Sequence, residues 1–114
     1  MPDNSVLLQG TVDILILKTL SWQPMHGYAI SRWIHSQSGG TIGVEGAALY
    51  QALHRLERRK LVTPQWGVSE NNRRAKYYAI TAEGRKVLRN EASTWRSYAA
   101  GVSAILDAVR PGTA

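Results

Sequence analysis

The most regular feature of the sequence is an apolar repeat near its C-terminal end. Apolar residues there follow one another at alternating spacings of four and three, the period of a coiled-coil seam. The repeat consists of Leu88, Ala92, Trp95, Ala99, Val102, Leu106 and Val109. A helix with such a seam needs a partner helix, and the 114-residue chain has no second helix of comparable length to offer. The repeat therefore predicts a homodimer whose subunits associate through this helix.

Length and composition limit the class of protein. A chain of 114 residues suits one compact domain, and the lack of cysteine excludes a disulfide framework and a thiolate metal site. The apolar stretch over residues 6–20 is interrupted by Gln9, Asp13 and Lys18 and follows no basic leader segment, so it predicts neither a membrane span nor a signal peptide. We expect a cytoplasmic protein with no cofactor and no metal site.

The elements that precede the repeat are three helices and a hairpin. Apolar spacing predicts helices over residues 5–20 and 27–37, a third helix that Gly46 opens, and strands over 61–66 and 75–81. Tyr77 or Tyr78, whichever points inward, and Trp66 are expected to pack inside the sheet. The predicted fold is mainly α with a small β-hairpin: a winged helix-turn-helix domain at 1–81, a C-terminal dimerisation helix at 82–110 and a disordered tail at 111–114.

Positive charge is concentrated in one part of the chain. Residues 46–86 hold nine basic and three acidic side chains, a net charge of +6, whereas residues 1–45 are net −1 and the remainder only +1. A localised basic field is typical of a protein that binds a polyanion, although it can also be an ordinary solvated surface. The positive charge coincides with the third helix and the hairpin, which favours a nucleic acid as the binding partner over an ordinary solvated surface.

The third helix presents a polar row. Leu49, Ala52, Leu53 and Leu56 form its apolar stripe, which leaves the opposite face exposed. On that face Tyr50, His54 and Arg58 follow one another four residues apart, with Gln51 and Arg55 beside them. The hairpin loop, predicted over residues 67–74, adds asparagine and arginine side chains at its tip.

Four stretches of the sequence resemble the PadR family of transcriptional regulators. They are LLQGTVDILILKTL, HGYAI at 26–30, ALYQALHRLERRKLV at 48–62 and WGVSENNRRAKYYAIT at 66–81. The resemblance covers most of the chain and implies a DNA-binding regulator, acting as a repressor, rather than an enzyme. Within the family, the chain is similar to the group in which a single C-terminal helix per subunit forms the dimer.

The resemblance also implies which residues meet the double-stranded DNA. It assigns Tyr50, His54, Arg55 and Arg58 to the recognition helix, and Asn72, Arg73, Arg74 and Lys76 to the wing. From side-chain chemistry, we expect Gln51, His54 and Arg55 to reach base edges and Arg58 and the wing cations to meet phosphates. Ala48 and Gln51 replace the serine and proline of the family pattern, so the operator sequence does not transfer from relatives.

Trp95 has two interpretations. In the first it is a packing residue in the core of the dimer. In the second, Trp95 and its symmetry mate, flanked by the small Ala92 and Ala99, form a slot in which a flat aromatic effector stacks and releases the operator.

Two other function classes stay open at this stage. The chain could be an architectural DNA-binding protein that is indifferent to sequence, or a protein-interaction dimer with an incidental basic face. An enzyme is not favoured, because neither HExxH nor GxSxG occurs and the eight carboxylates are scattered.

Overall fold

The computed structural model describes residues 5–111, with side chains from residue 10 onward. Over this range the chain forms four helices and a three-stranded antiparallel sheet. In chain order the elements are α1 (Ser5–Thr19), β1 (Met25–His26), α2 (Gly27–Gln37), α3 (Gly46–Arg58), β2 (Val62–Val68), β3 (Arg74–Ile80) and α4 (Ala82–Leu106). Among the described residues, no helix has both the length and the apolar character needed to cross a membrane.

The first three helices enclose a single core. Each contributes its apolar stripe, because apolar side chains three or four residues apart share one face of a helix. The fully buried members are Ile16 and Leu17 from α1, Leu20 in the turn that follows it, Ile30 from α2, and Ala52, Leu53 and Leu56 from α3. Helix α2 ends before Gly39 and Gly40, whose φ angles of 63° and 81° favour glycine and turn the chain toward α3.

The sheet has one strand more than the sequence predicts. Strand β1 pairs with β3 through Met25 opposite Tyr78 and His26 opposite Tyr77, so the sheet order is β1-β3-β2. A strand of two residues is too short to give an alternating pattern, and its partner lies more than fifty residues further along the chain. The prediction of a hairpin alone was therefore incomplete.

The hairpin strands also reach further toward the turn than predicted. Strand β2 continues to Val68 and β3 begins at Arg74, so the connecting turn contains only residues 69–73. The turn is closed by hydrogen bonds from the Asn72 N–H to the Ser69 carbonyl and from the Ser69 N–H to the Arg73 carbonyl, each 2.8 Å long. Arg74 consequently belongs to strand β3 and not to the loop in which the sequence placed it.

The terminal helix begins as predicted and ends early. The Thr81 hydroxyl accepts a hydrogen bond of 3.0 Å from the Gly84 N–H, which caps α4. Its last helical residue is Leu106, not a residue near 110. Pro111 disfavours helical backbone before it, and the carboxylate of the C-cap residue Asp107 opposes the helix dipole. Val109 therefore lies outside the helix, and residues 112–114 of the predicted disordered tail lie outside the described residues.

Candidate nucleic-acid interface

Helix α3 presents one face to the core and the other to solvent. Leu49, Ala52, Leu53 and Leu56 are all buried, so the geometry of the helix turns the intervening side chains outward. Tyr50 is 57% exposed, and Gln51, His54 and Arg58 are also exposed. These four side chains lie along one open surface of the helix, which bears an aromatic ring, an amide, an imidazole and a guanidinium.

An open groove of about 750 Å³ separates α3 from the wing, the hairpin of β2, β3 and the turn between them. Tyr50 and His54 line it from the helix, whereas Arg73, Arg74 and Lys76 line it from the wing. The groove thus brings recognition-helix and wing residues, separated by about twenty positions in sequence, to one basic surface. Such a surface suits a phosphodiester backbone.

The start of α2 contributes residues to the groove that sequence reasoning did not assign there. His26 and Tyr28 both line it. His26 Nδ1 accepts a hydrogen bond of 3.2 Å from the Ala29 N–H and so caps α2. Tyr28 is 64% exposed, and its ring lies 5.7 Å from the Arg32 guanidinium. The HGYAI stretch was the only sequence signal for these residues.

Tyr50 is held by the backbone of α2. A β-carbon added at Gly27 would lie 3.0 Å from the Tyr50 hydroxyl oxygen and 3.3 Å from the ring. The ring therefore packs closely against Gly27, and a larger side chain there would push the Tyr50 ring aside. This contact fixes the direction in which Tyr50 leaves the recognition helix.

Arg55 borders the same open surface of α3, but its guanidinium is engaged within the molecule. Its guanidinium donates a hydrogen bond of 2.8 Å to the Asp13 carboxylate on α1, and its side chain is only about a quarter exposed. The Arg59 guanidinium lies 4.0 Å from the other oxygen of the same carboxylate. Arg55 thus ties the recognition helix to α1, a contact between residues 42 positions apart that no local pattern reveals. Its predicted contact with a base edge would require this ion pair to open.

We expect Asp13→Asn to lower the free energy of unfolding by about 1–2 kcal/mol, because it leaves a partly buried guanidinium without its charged acceptor. Chemical denaturation measures this loss. Asp107→Asn makes the same chemical change at an exposed position and should not destabilise the protein, because it removes a charge that opposes the dipole of α4 and so raises stability by at most about 0.5 kcal/mol. Equal stabilities for Asp13→Asn and the wild type would contradict a holding role for the Arg55–Asp13 pair.

Lys76 is also engaged within the molecule. Its ammonium lies 3.5 Å from the Glu57 carboxylate on α3 and over the ring of Tyr78. About a third of each charged side chain is exposed, so this ion pair is worth at most about 1 kcal/mol. Among the predicted cations, Arg58, Arg73 and Arg74 are exposed, and none of the three has an ion pair within the part of the chain that the structure describes.

The prediction that Trp66 packs inside the sheet is wrong. The side chain is 61% exposed, and the guanidinium of Arg74 lies over its ring at 4.5 Å from the centroid. Burial is confined to the base of the hairpin, where Val62 and Tyr78 join the core, and Trp66 lies beyond it. Arg74 therefore has an apolar surface to lie on, which the sequence had not indicated.

The predicted seam on α4 is exposed over most of its length. Trp95, Val102 and Leu106 are 46%, 40% and 78% exposed, and Ala92 and Ala99 are partly buried. Leu88 instead packs against the core of its own subunit. Tyr98 and Ile105, which the seven-residue pattern omits, are also exposed and widen the apolar strip.

Comparisons with known proteins agree with this architecture. The model of the transcriptional regulator PadR-like family matches residues 16–90. An uncharacterized protein of Lysinibacillus sphaericus is 28% identical over 109 residues, which is 96% of each chain. These matches span the helix-turn-helix, the wing and the start of α4.

Solved structures of regulators have the same fold. A transcriptional regulator from Clostridium thermocellum is 29% identical, with a TM-score of 0.78 over 87% of this chain and 96% of that chain. A PadR family transcriptional regulator from Eggerthella lenta is 32% identical, with a TM-score of 0.72 over 91% of this chain and 88% of that one. The predicted winged-helix fold and the prediction of a regulator rather than an enzyme are thereby confirmed. The chain belongs to the PadR-like family of transcriptional regulators.

Proposed function

We propose that this regulator is a sequence-specific repressor that binds a palindromic operator as a homodimer. The observation that carries the proposal is the groove in which exposed residues of α3 face the cations of the wing. A recognition helix of this width enters the major groove, and a wing beside it reaches the adjoining backbone or minor groove. Such a protein acts on chromosomal DNA and therefore in the cytoplasm.

The roles of the interface residues follow from their chemistry and position. Gln51 and His54 are assigned to base edges, and Tyr50 to a phosphate or a thymine methyl group. Arg58, Arg73 and Arg74 are assigned to phosphates, with Asn72 setting the turn that carries the wing arginines. Arg55 and Lys76 act mainly through Asp13 and Glu57, which orient the recognition helix and the wing.

The homodimer rests on the exposed apolar strip of α4. Two copies of this strip, packed against each other, would remove several large side chains from water and place two recognition helices at a fixed separation. Successive major grooves on one face of DNA are about 34 Å apart, so a two-fold dimer requires a palindromic operator. The choice of repression over activation rests on the resemblance to the PadR family alone.

Trp95 is the proposed effector site. Its ring is almost half exposed in one subunit, and the partly buried Ala92 and Ala99 leave room on either side of it along the strip. A flat aromatic molecule between Trp95 and its symmetry mate would change how the terminal helices cross. It would release the operator only if it bound the free and DNA-bound states with different affinities.

The experiment that tests the DNA proposal compares two duplexes of equal length, one from upstream of the chain's own gene and one random. We expect a preference of about a thousandfold or more at physiological salt. Equal affinity for both, repeated with fragments selected from the whole genome, would instead favour the architectural protein. The absence of binding at low salt would contradict any DNA-binding role.

We expect Arg73→Ala to weaken binding to both duplexes about equally and to lower the slope of log K against log [salt] by about 1, because one phosphate contact is lost. Titrations between 50 and 200 mM salt measure this slope. Arg110→Ala removes the same charge from an exposed position beyond α4 and serves as the control. An equal loss of slope for both variants would assign the effect to net charge and not to the wing.

A further inference from the structure

The wing contains an exposed tryptophan whose exposure the fold does not require. Trp66 lies on β2 opposite Lys76, and Arg74 begins β3 opposite Val68, so the two side chains are diagonal neighbours on one face of the hairpin. The Arg74 guanidinium lies 4.5 Å from the centre of the Trp66 ring, the shortest cation–π distance among the described residues. This separation is well within the range of an attractive contact.

Stacking on the indole leaves the arginine able to bind a phosphate. The guanidinium carbon lies over the ring, and the N–H groups of a planar guanidinium that stacks on a ring point outward in the plane of the group. A free arginine side chain loses considerable rotamer entropy when it binds, and a guanidinium already held on a rigid ring loses less. The contact thus preorganises a hydrogen-bond donor without neutralising its charge, unlike the carboxylates beside Arg55 and Lys76.

The pair also faces the proposed DNA. Trp66 and Arg74 line the same groove as Tyr50 and His54 of the recognition helix. A DNA backbone that leaves the recognition helix toward the wing would pass through this groove, where the stacked guanidinium is available. Lys76 lies directly opposite Trp66, but its ammonium already contacts the Glu57 carboxylate and the Tyr78 ring. Of these two strand β3 cations, Arg74 is therefore the one whose charge is available to a phosphate.

We propose that Trp66 is a positioning residue for DNA binding, which holds Arg74 in the conformation that binds an operator phosphate. The inference rests on the proposed function. It adds that the Trp66 ring, without touching DNA itself, determines how much the wing contributes to the affinity for the operator. It also gives a role to a large apolar side chain at an exposed position.

A double-mutant cycle on the full-length protein tests this inference. Trp66→Ala, Arg74→Ala and the double variant are titrated with the upstream operator duplex across a salt series. We expect Trp66→Ala to weaken binding about fivefold when Arg74 is present and less than about twofold when it is absent. Trp66→Tyr should retain most of the affinity, because a ring with the same face replaces the indole.

Two further readouts separate positioning from folding. The side-chain NMR signals of Arg74 should carry the ring-current shift of Trp66 in the wild type and lose it in Trp66→Ala. Val68→Ala, an exposed change opposite Arg74 on the same face, should leave operator affinity unchanged. All variants should unfold at nearly the wild-type temperature, since Trp66 lies outside the core.

The outcomes distinguish the inference from the function on which it rests. If Arg74→Ala left affinity and salt slope unchanged, Arg74 would be removed from the interface and this inference would fail, while Arg73→Ala would still test whether the wing binds DNA. If Arg74→Ala weakened binding while Trp66→Ala did not, or did so equally in both backgrounds, the DNA interface would stand and the positioning role would be overturned.

Discussion

Val102→Glu is expected to convert the dimer to a monomer and to weaken operator binding about a hundredfold or more. Val102 lies in the exposed apolar strip of α4, between Ala99 and Leu106 of the predicted seam. A glutamate there would place two carboxylates near the two-fold axis in an apolar interface, where neither could be solvated. Sedimentation at several protein concentrations measures the association, and titration of the operator measures the affinity.

The loss of affinity follows from the loss of the second half-site. In a dimer, one bound recognition helix holds the other at millimolar effective concentration near its own half-site, and a monomer lacks this advantage. The fold of each subunit should survive, because Val102 is already 40% exposed in the single chain and packs against no core residue. Circular dichroism should therefore report the same helix content for the variant.

Ala100→Glu is the matched control for this prediction. Ala100 is exposed on α4, and two residues before Val102 it lies on the opposite side of the helix from the strip. The Ala100→Glu variant should remain dimeric and bind the operator as the wild type does. If Val102→Glu also remained dimeric, the strip would not be the subunit interface, and the proposed spacing of recognition helices would need another origin.

The parts of the fold that the sequence could predict are those with a local signal. Helices α1, α2 and α3 were found from apolar spacing, and α4 from its seven-residue repeat. The exposed row of α3 followed in the same way, because the positions that bury Leu49 and Leu53 determine which neighbours face solvent. Local periodicity therefore sufficed for α1, α2 and α3 and for the exposed face of α3.

The parts that were missed depend on contacts between distant residues. The pairing of Arg55 with Asp13 joins α3 to α1, and β1 exists only because β3 lies beside it. The exposure of Trp66 depends on where the hairpin leaves the body of the domain, which alternation along a strand cannot reveal. Tyr98 was omitted for a different reason, since a strict seven-residue repeat covers a narrower strip than the helix displays.

Gly84→Ala is expected to lower the free energy of unfolding by about 3 kcal/mol and the melting temperature by about 10–20 °C. Gly84 is buried in the first turn of α4. A β-carbon there would overlap the backbone carbonyl oxygen of Leu61 and would lie 2.8 Å from Cγ1 of Ile80. Because the carbonyl belongs to the backbone, no rotamer change removes the overlap, and the helix itself must move.

Movement of α4 at this point disturbs several contacts together. The Leu61 carbonyl accepts hydrogen bonds from the N–H and the hydroxyl of Thr81, at 3.0 and 3.1 Å, which hold the start of α4 on the junction of α3 and β2. The helix direction set there would determine where the apolar strip of each subunit lies relative to its recognition helix. Thermal unfolding followed by circular dichroism, at one fixed protein concentration, measures the change.

Gly101→Ala in the same helix separates this steric effect from the general preference of helices for alanine. A β-carbon at Gly101 meets nothing within 4 Å, so this substitution should raise stability by about 0.5–1 kcal/mol. Two identical substitutions in one helix are thus expected to shift stability in opposite directions. A stabilising Gly84→Ala would mean that α4 does not approach Leu61 closely, and that the docking of the terminal helix on the domain has been assigned to the wrong contact.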